Sequence, residues 1–376
     1  MKKLIALLLA LMMVFALVAC SSKEEPAEED TQETTETPAE EPAEEPAEEE
    51  TPAAEEEPAE EEAPAEEEAP ASTYELPGDV EYVVPFSAGG GSDLYSRTAA
   101  NIMNELDLLG GRSVTVTNKP GGGGSVGDAY TATKKGDGTT ITAYVSAQIT
   151  SPITTGTGIT WDQLTPICNL ALDEYTIGVA ATAEYQTVEE FIAYAKEHPG
   201  EITVGGSGVG TEDNLVTGLI EMYCDVDLEY IPYDSSGEVM TGVLGGHLAA
   251  GIFNPNEAIS QYEAGEVILL GAFGPERISV LPDVPTFTEL GYEEVQFQQF
   301  RGVFGPPDMT QEAIDFWVNV YSQVVEDEDW TEGYLAQNGL TANFIYGEEF
   351  QTFLEGESAK YQTVLDNLGL SANSAS

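Results

Sequence analysis

Two stretches carry the residue types that can hold an anion through the backbone. Ser87-Ala88-Gly89-Gly90-Gly91-Ser92 follows an apolar run ending at Phe86, and Gly205-Gly206-Ser207-Gly208-Val209-Gly210-Thr211 follows Ile202-Thr203-Val204. Glycine has no Cβ, so the backbone at such a loop can come close to a ligand. Each loop leads into residues with helical spacing, and the free N–H groups and positive dipole end of a helix start favour an anion. Ser92 or Asp93 is expected to cap the first helix and Thr211 the second, while Glu212 and Asp213 suit the first turn as dipole partners. Two loops of one construction suggest a pincer. A pair of tight turns before capped helices, without any ligand, is the alternative that these stretches leave open.

The surrounding pattern supplies the elements that would position the loops. Strands are expected near 80–84, 113–117, 139–145, 176–180, 202–204, 228–231 and 248–253. Helices are expected over 93–108, 125–133, 187–197, 211–223 and 237–244. Tyr95, Ala99, Ile102, Met103 and Leu106 form one apolar stripe of the first helix, and Leu215, Leu219, Ile220 and Met222 would face the core from the helix after the second loop. Strand and helix alternating at this spacing predict βαβ units, largely parallel sheets and an α/β fold. In such sheets ligands sit beyond the carboxyl ends of strands. About 300 residues after residue 72 exceed one comfortable core and suggest two lobes.

Other chemistry finds little support. His198 and His247 read as a helix end and a turn, with no nucleophile motif beside them. No Walker loop or His-Glu-x-x-His occurs in the sequence. Gly122-x-Gly124-x-x-Gly127 matches the dinucleotide pattern, but no acid follows about 20 residues later, so it reads as a turn. No catalytic residue, metal site or cofactor is expected. Cys168 and Cys224 are too few for a disulfide framework and suit small apolar sites, with a single bridge between them left open.

The N-terminal end has its own organisation. Met1-Lys2-Lys3 precedes fifteen apolar residues, Leu4 to Val18, and then Ala19-Cys20. That length falls short of the roughly 20 residues of a spanning helix and fits an export signal over 1–20. Leu17-Val18-Ala19-Cys20 resembles a bacterial lipobox, in which Cys20 takes a lipid anchor. Residues 21–72 repeat Pro-Ala-Glu-Glu and carry 23 acids against Lys23. Such composition cannot build a core and is expected to form an extended, disordered tether. The rest of the chain holds nine Lys and Arg against 45 acids. A field of that sign disfavours nucleic acid and anionic lipid, and it opposes an anionic solute unless local donors outweigh it.

The ordered set Val84-Pro85-Phe86-Ser87-Ala88-Gly89-Gly90-Gly91-Ser92-Asp93, Asn118-Lys119-Pro120-Gly121-Gly122-Gly123-Gly124, Gly206-Ser207-Gly208-Val209-Gly210-Thr211, Ile231-Pro232-Tyr233, Leu281-Pro282-Asp283-Val284-Pro285-Thr286 and Gly302-Val303-Phe304-Gly305-Pro306-Pro307 resembles the solute-binding proteins of tripartite tricarboxylate transporters, the Bug family. The resemblance covers nearly all of 77–370. It implies a two-domain, hinged periplasmic-binding-protein-like fold with a ligand cleft between domains, assigned here as 73–175 plus 290–376 and 176–289. It implies that both glycine loops grip a ligand carboxylate. Carried over by position, the ligand-binding residues are Ser87, Ala88, Gly90, Ser92 and Asp93 in the first loop and Ser207, Gly208 and Thr211 in the second. Asn214 stands where relatives often have His. Gln148 and Asn254 lie at strand ends that the family directs into the cleft. Arg301 can grip a carboxylate bidentately, with an ion pair to one of the many acids as its other reading. Lys119 has a weaker claim, since Asn118-Lys119-Pro120-Gly121 also reads as a turn.

The expected protein is therefore a membrane-tethered, monomeric, extracytoplasmic receptor that performs no chemistry. It captures a small di- or tricarboxylate-like solute for membrane permease subunits. The competing expectations are a surface lipoprotein with a structural or adhesive role, and a hydrolase using unrecognised carboxylates.

Overall fold

A computed structural model describes residues 74–373. The export signal, the Cys20 lipidation site and the 21–72 tether lie outside the described residues. Two sheets organise the chain. The first runs, edge to edge, 341–346, 165–173, 299–305, 140–144, 80–84 and 114–118, and the second 229–233, 203–207, 250–253, 176–180 and 267–272.

The first sheet opens with β1 (Val80–Val84), the glycine loop and α1 (Gly91–Glu105), followed by β2 (Val114–Asn118), α2 (Ser125–Ala132), β3 (Thr140–Tyr144), α3 (Ser146–Thr155) and β4 (Thr165–Asp173). The chain then passes to the second sheet: β5 (Thr176–Ala180), α4 (Val188–Glu197), β6 (Thr203–Ser207), α5 (Glu212–Cys224), β7 (Glu229–Tyr233), α6 (Ser236–Leu244), β8 (Ala250–Phe253), α7 (Pro255–Glu263) and β9 (Val267–Ala272). It returns through β10 (Gln299–Gly305), α8 (Gln311–Val325), α9 (Glu328–Trp330), β11 (Thr341–Tyr346) and α10 (Gly347–Asn367). Each expected strand and helix has a counterpart within a few residues.

The sheets are mixed rather than largely parallel. β1 pairs in parallel with β2 and β3, and β6 with β7 and β8. β5 and β10 run antiparallel to both of their neighbours. The reason is topological: these are the two strands that arrive from the other lobe, so they enter their sheets from the opposite end. β4 and β10 are adjacent, with Gln299 opposite Asp173, and the passage from β4 to β5 consists only of Glu174 and Tyr175.

The apolar periodicity places the core well. Tyr95, Ala99, Ile102 and Met103 are buried, as are Leu215, Leu219 and Ile220. Leu106 and Met222 depart from expectation. Leu106 is 49% exposed because α1 has already ended at Glu105, and Met222 is half-buried beside Asn367. Leu215 and Leu219 of α5 share a core cluster with Val364 and Leu365 of α10, so the last helix packs on the helix that follows the second glycine loop. Cys168 and Cys224 are both buried and free, which removes the bridge left open above. Among the described residues no helix is long and apolar enough to cross a membrane.

Candidate functional site

The first glycine loop is held by one carboxylate. Asp93 Oδ2 accepts from the Gly89 amide at 2.8 Å and from Arg97 Nε at 2.9 Å, and Asp93 Oδ1 accepts from Asn118 Nδ2 at 2.8 Å. Asn118 also donates to Phe86 O at 3.0 Å, which closes the loop against β2. Gly90 is the residue that caps α1, so the expectation that Ser92 or Asp93 does so is corrected. Asp93 sits one turn inside and reaches back, because the glycine loop gives its carboxylate an amide to hold. Its pKa is lowered to about 2, first by the Arg97 hydrogen bond and then by the Gly89 amide and Asn118, against the cost of burial. Ser87, Ala88, Gly89 and Gly90 are exposed at the tip, while Ser92 is buried.

A pH dependence follows from that depressed pKa. An ionised Asp93 stabilises the fold above its ordinary value near 3.8, and this stabilisation is lost as pH falls through about 2. Asp93→Asn is expected to unfold at a lower temperature than wild type at pH 7, with the gap narrowing between pH 4 and pH 2. Thermal melts across that range check it; a gap independent of pH contradicts it.

The second loop repeats the device with a different electrostatic outcome. Asp213 Oδ2 accepts from the Ser207 amide at 2.6 Å and from Ser207 Oγ at 2.8 Å. Thr211 occupies the expected N-cap position of α5, but its hydroxyl donates back to Ser207 O at 2.5 Å rather than accepting from the helix. Tyr230 Oη donates to Gly208 O at 2.8 Å, and Asn214 Oδ1 accepts from the Gly210 amide at 3.1 Å. Among the described residues no cation pairs with Asp213, and burial, offset in part by the Ser207 bonds, pushes its pKa up to about 7. Glu212 turns toward the crossing and accepts from Gln299 Nε2 at 2.6 Å.

Arg301 lies where these parts meet. It is 7% exposed on β10 and paired with Asp173, the last residue of β4. A Cβ added at Gly91 would lie 3.0 Å from Arg301 Nη2 and 3.4 Å from Nη1, so the guanidinium rests directly on the start of α1. Burial works against its charge, but Asp173 and the nearby tyrosines outweigh it and keep its pKa above the ordinary value. From the second lobe, Asn254 Nδ2 donates to Asp173 Oδ1 at 3.1 Å and to Glu174 O at 2.8 Å. Glu174 Oε1 accepts from Gln298 and Thr341, each at 2.6 Å, and burial raises its pKa to about 6.

The structure thus brings Arg301, Asn254 and the start of α1 to one point at the crossing, where the second loop is tied in through Glu212. Gln148 departs from expectation. Its amide is spent inside the first lobe, with Oε1 accepting from the Val145 amide at 2.9 Å and Nε2 donating to Asp128 at 2.5 Å and to Ala143 O at 3.2 Å. Lys119 takes the structural reading, lying 3.8 Å from the Tyr130 ring centroid and 3.6 Å from Glu81. Asp173, Glu174 and Gln299 belong to the site and were not anticipated. The signal for the two acids was one acid closing a nine-residue strand that has no other charge, with a second directly after it.

The family model of the tripartite tricarboxylate transporter family receptor matches residues 96–370. A UPF0065 protein in the gbd 5′ region of Cupriavidus necator is 30% identical over 294 residues, covering 77% of this chain and 88% of that one. The crystal structure of a TctC solute-binding protein from Polaromonas superposes with a TM-score of 0.69 at 26% identity, over 77% of this chain and 99% of that one. A Rhodopseudomonas palustris protein solved with adipate gives a TM-score of 0.66 at 23% identity, over 78% and 98% of the two chains.

Proposed function

Because the chain belongs to the tripartite tricarboxylate transporter receptor family, we propose that it captures a small di- or tricarboxylate-like acid outside the cytoplasm and delivers it to a tripartite-type membrane permease. The observation that carries this reading is the position of Arg301, a buried guanidinium resting on the N-terminal start of α1 at the crossing between the lobes. An arginine fork and helix-start amides both favour a carboxylate. Ser87, Ala88, Gly90 and Ser92 from the first loop, Ser207, Gly208, Thr211 and Asn214 from the second, and Asn254 and Arg301 at the floor are the ligand-binding residues of this reading. Asp93 and Gln148 act one layer behind, fixing the loop and the start of α3. The adipate held by the Rhodopseudomonas palustris neighbour supports a linear diacid as one member of the solute class.

The rest of the reading is spatial. Residues 73–175 with 290–376, and residues 176–289, form the two domains, and the closure motion turns on Asp173–Tyr175 and the segment entering β10. Cys20 carries the lipid, residues 21–72 span the distance to the folded part, and the receptor works as a monomer without turnover of its solute. A thermal-shift screen of the purified chain with succinate, malate, adipate and citrate, followed by calorimetry, tests it. Saturable binding of at least one acid with one site per chain is expected; no shift and no heat with any of them overturns it.

A further inference from the structure

We propose that Asp173 stands in for the solute's carboxylate on Arg301, so that capture exchanges one carboxylate for another and Asp173 sets how well an acid must bind to be taken. This rests on the receptor reading above and concerns one atom in particular. Nη2 is the guanidinium nitrogen nearest to Gly91, and it is the nitrogen that Asp173 Oδ2 holds. A carboxylate approaching the start of α1 therefore meets the edge of Arg301 that is already occupied by an internal acid.

The surroundings favour exchange over coexistence. Burial and Coulomb interaction couple Asp173 to Glu174, Glu212 and Glu257, with Arg301 as the cation opposing them. A further carboxylate beside Nη2 would add repulsion among buried charges. Arg301 Nε is buried without an acceptor, so its fork of donors is incompletely used while Asp173 holds it. Asp173 also has a second partner to keep when it lets go, because its Oδ1 receives the Asn254 amide from the other lobe. The chain Arg301–Asp173–Asn254 links the two lobes, which places the exchange where opening and closing are set. Stability alone gives Asp173 little purpose, since a buried ion pair is often no better than apolar residues of similar volume.

Asp173→Asn removes the competing charge and keeps the shape, and Asp173→Ser removes more. For an acid that wild type binds, each folded variant is expected to bind about 10-fold tighter or more, the worth of one charge-assisted hydrogen bond released for the solute. Acetate and propionate should become detectable ligands. A merely structural Asp173 does not tighten binding when removed, so unchanged or weaker affinity in either folded variant overturns the proposal. In wild type, the side-chain carbon resonance of Asp173 in aspartate-labelled protein should move on saturation with the acid. A resonance that stays in place overturns it even if both variants fail to fold. Failure of every acid to bind wild type and variants alike overturns the receptor reading instead.

Discussion

Replacing Arg301 by alanine is expected to weaken solute binding by roughly 10- to 100-fold, the loss of a charge-assisted hydrogen bond in a closed site. The same change should cost about 3–5 kcal/mol of folding stability. Both effects come from one side chain. Arg301 is the cation paired with Asp173, and its loss leaves a buried carboxylate with Asn254 as its remaining side-chain partner. The two effects separate in a double variant. Arg301→Leu with Asp173→Leu fills the same volume without a stranded charge, so stability should largely return while binding does not. Denaturant unfolding and calorimetry measure the two quantities. Full affinity in Arg301→Ala would reduce the arginine to an ordinary ion pair across β4 and β10.

Alanine at Gly206 should cost a comparable factor, roughly 10- to 100-fold in affinity, through overpacking worth about 1–3 kcal/mol. The added Cβ would lie 2.5 Å from Asp213 Cβ and 2.6 Å from Tyr230 Oη. Those two side chains hold the second loop, Asp213 on the Ser207 amide and Tyr230 on Gly208 O. One methyl group therefore pushes on both of its supports. Gly78→Ala is the control. It lies outside both loops and no atom is within 4 Å of the Cβ it would add, so affinity should stay within about threefold of wild type, a difference under 1 kcal/mol. Equal losses at Gly78 and Gly206 would contradict this assignment of the tight position.

That contrast shows what the sequence made legible. Composition and periodicity marked both bare loops, the strand before each and the helix after each, because local backbone freedom and helix amphipathicity are written in neighbouring residues. They did not rank the glycines. Whether a Cβ fits at Gly90, Gly91 or Gly206 depends on Arg301, Asp213 and Tyr230, which the fold brings in from other elements. Asp93 was readable as a cap and Asp213 as a first-turn acid, but their opposite pKa shifts were not. Arg97 lies one turn along the helix from Asp93 and pairs with it, whereas burial and then the charges of Glu212 and Glu257 raise Asp213 against the Ser207 bonds. Arg301 stood out because cations are scarce here. Its partner Asp173 lies 128 residues away, a separation no local pattern spans, and the antiparallel pairing of β5 and β10 escaped notice for the same reason.

A calorimetric titration of the purified chain with each acid that shifts its melting temperature, repeated on Arg301→Ala and Gly206→Ala, locates the solute most directly. The predicted result is one saturable site in wild type and a loss of roughly 10-fold or more in each variant. Saturable binding at wild-type affinity in both variants would place the solute somewhere other than between the glycine loops and Arg301, and would contradict the account.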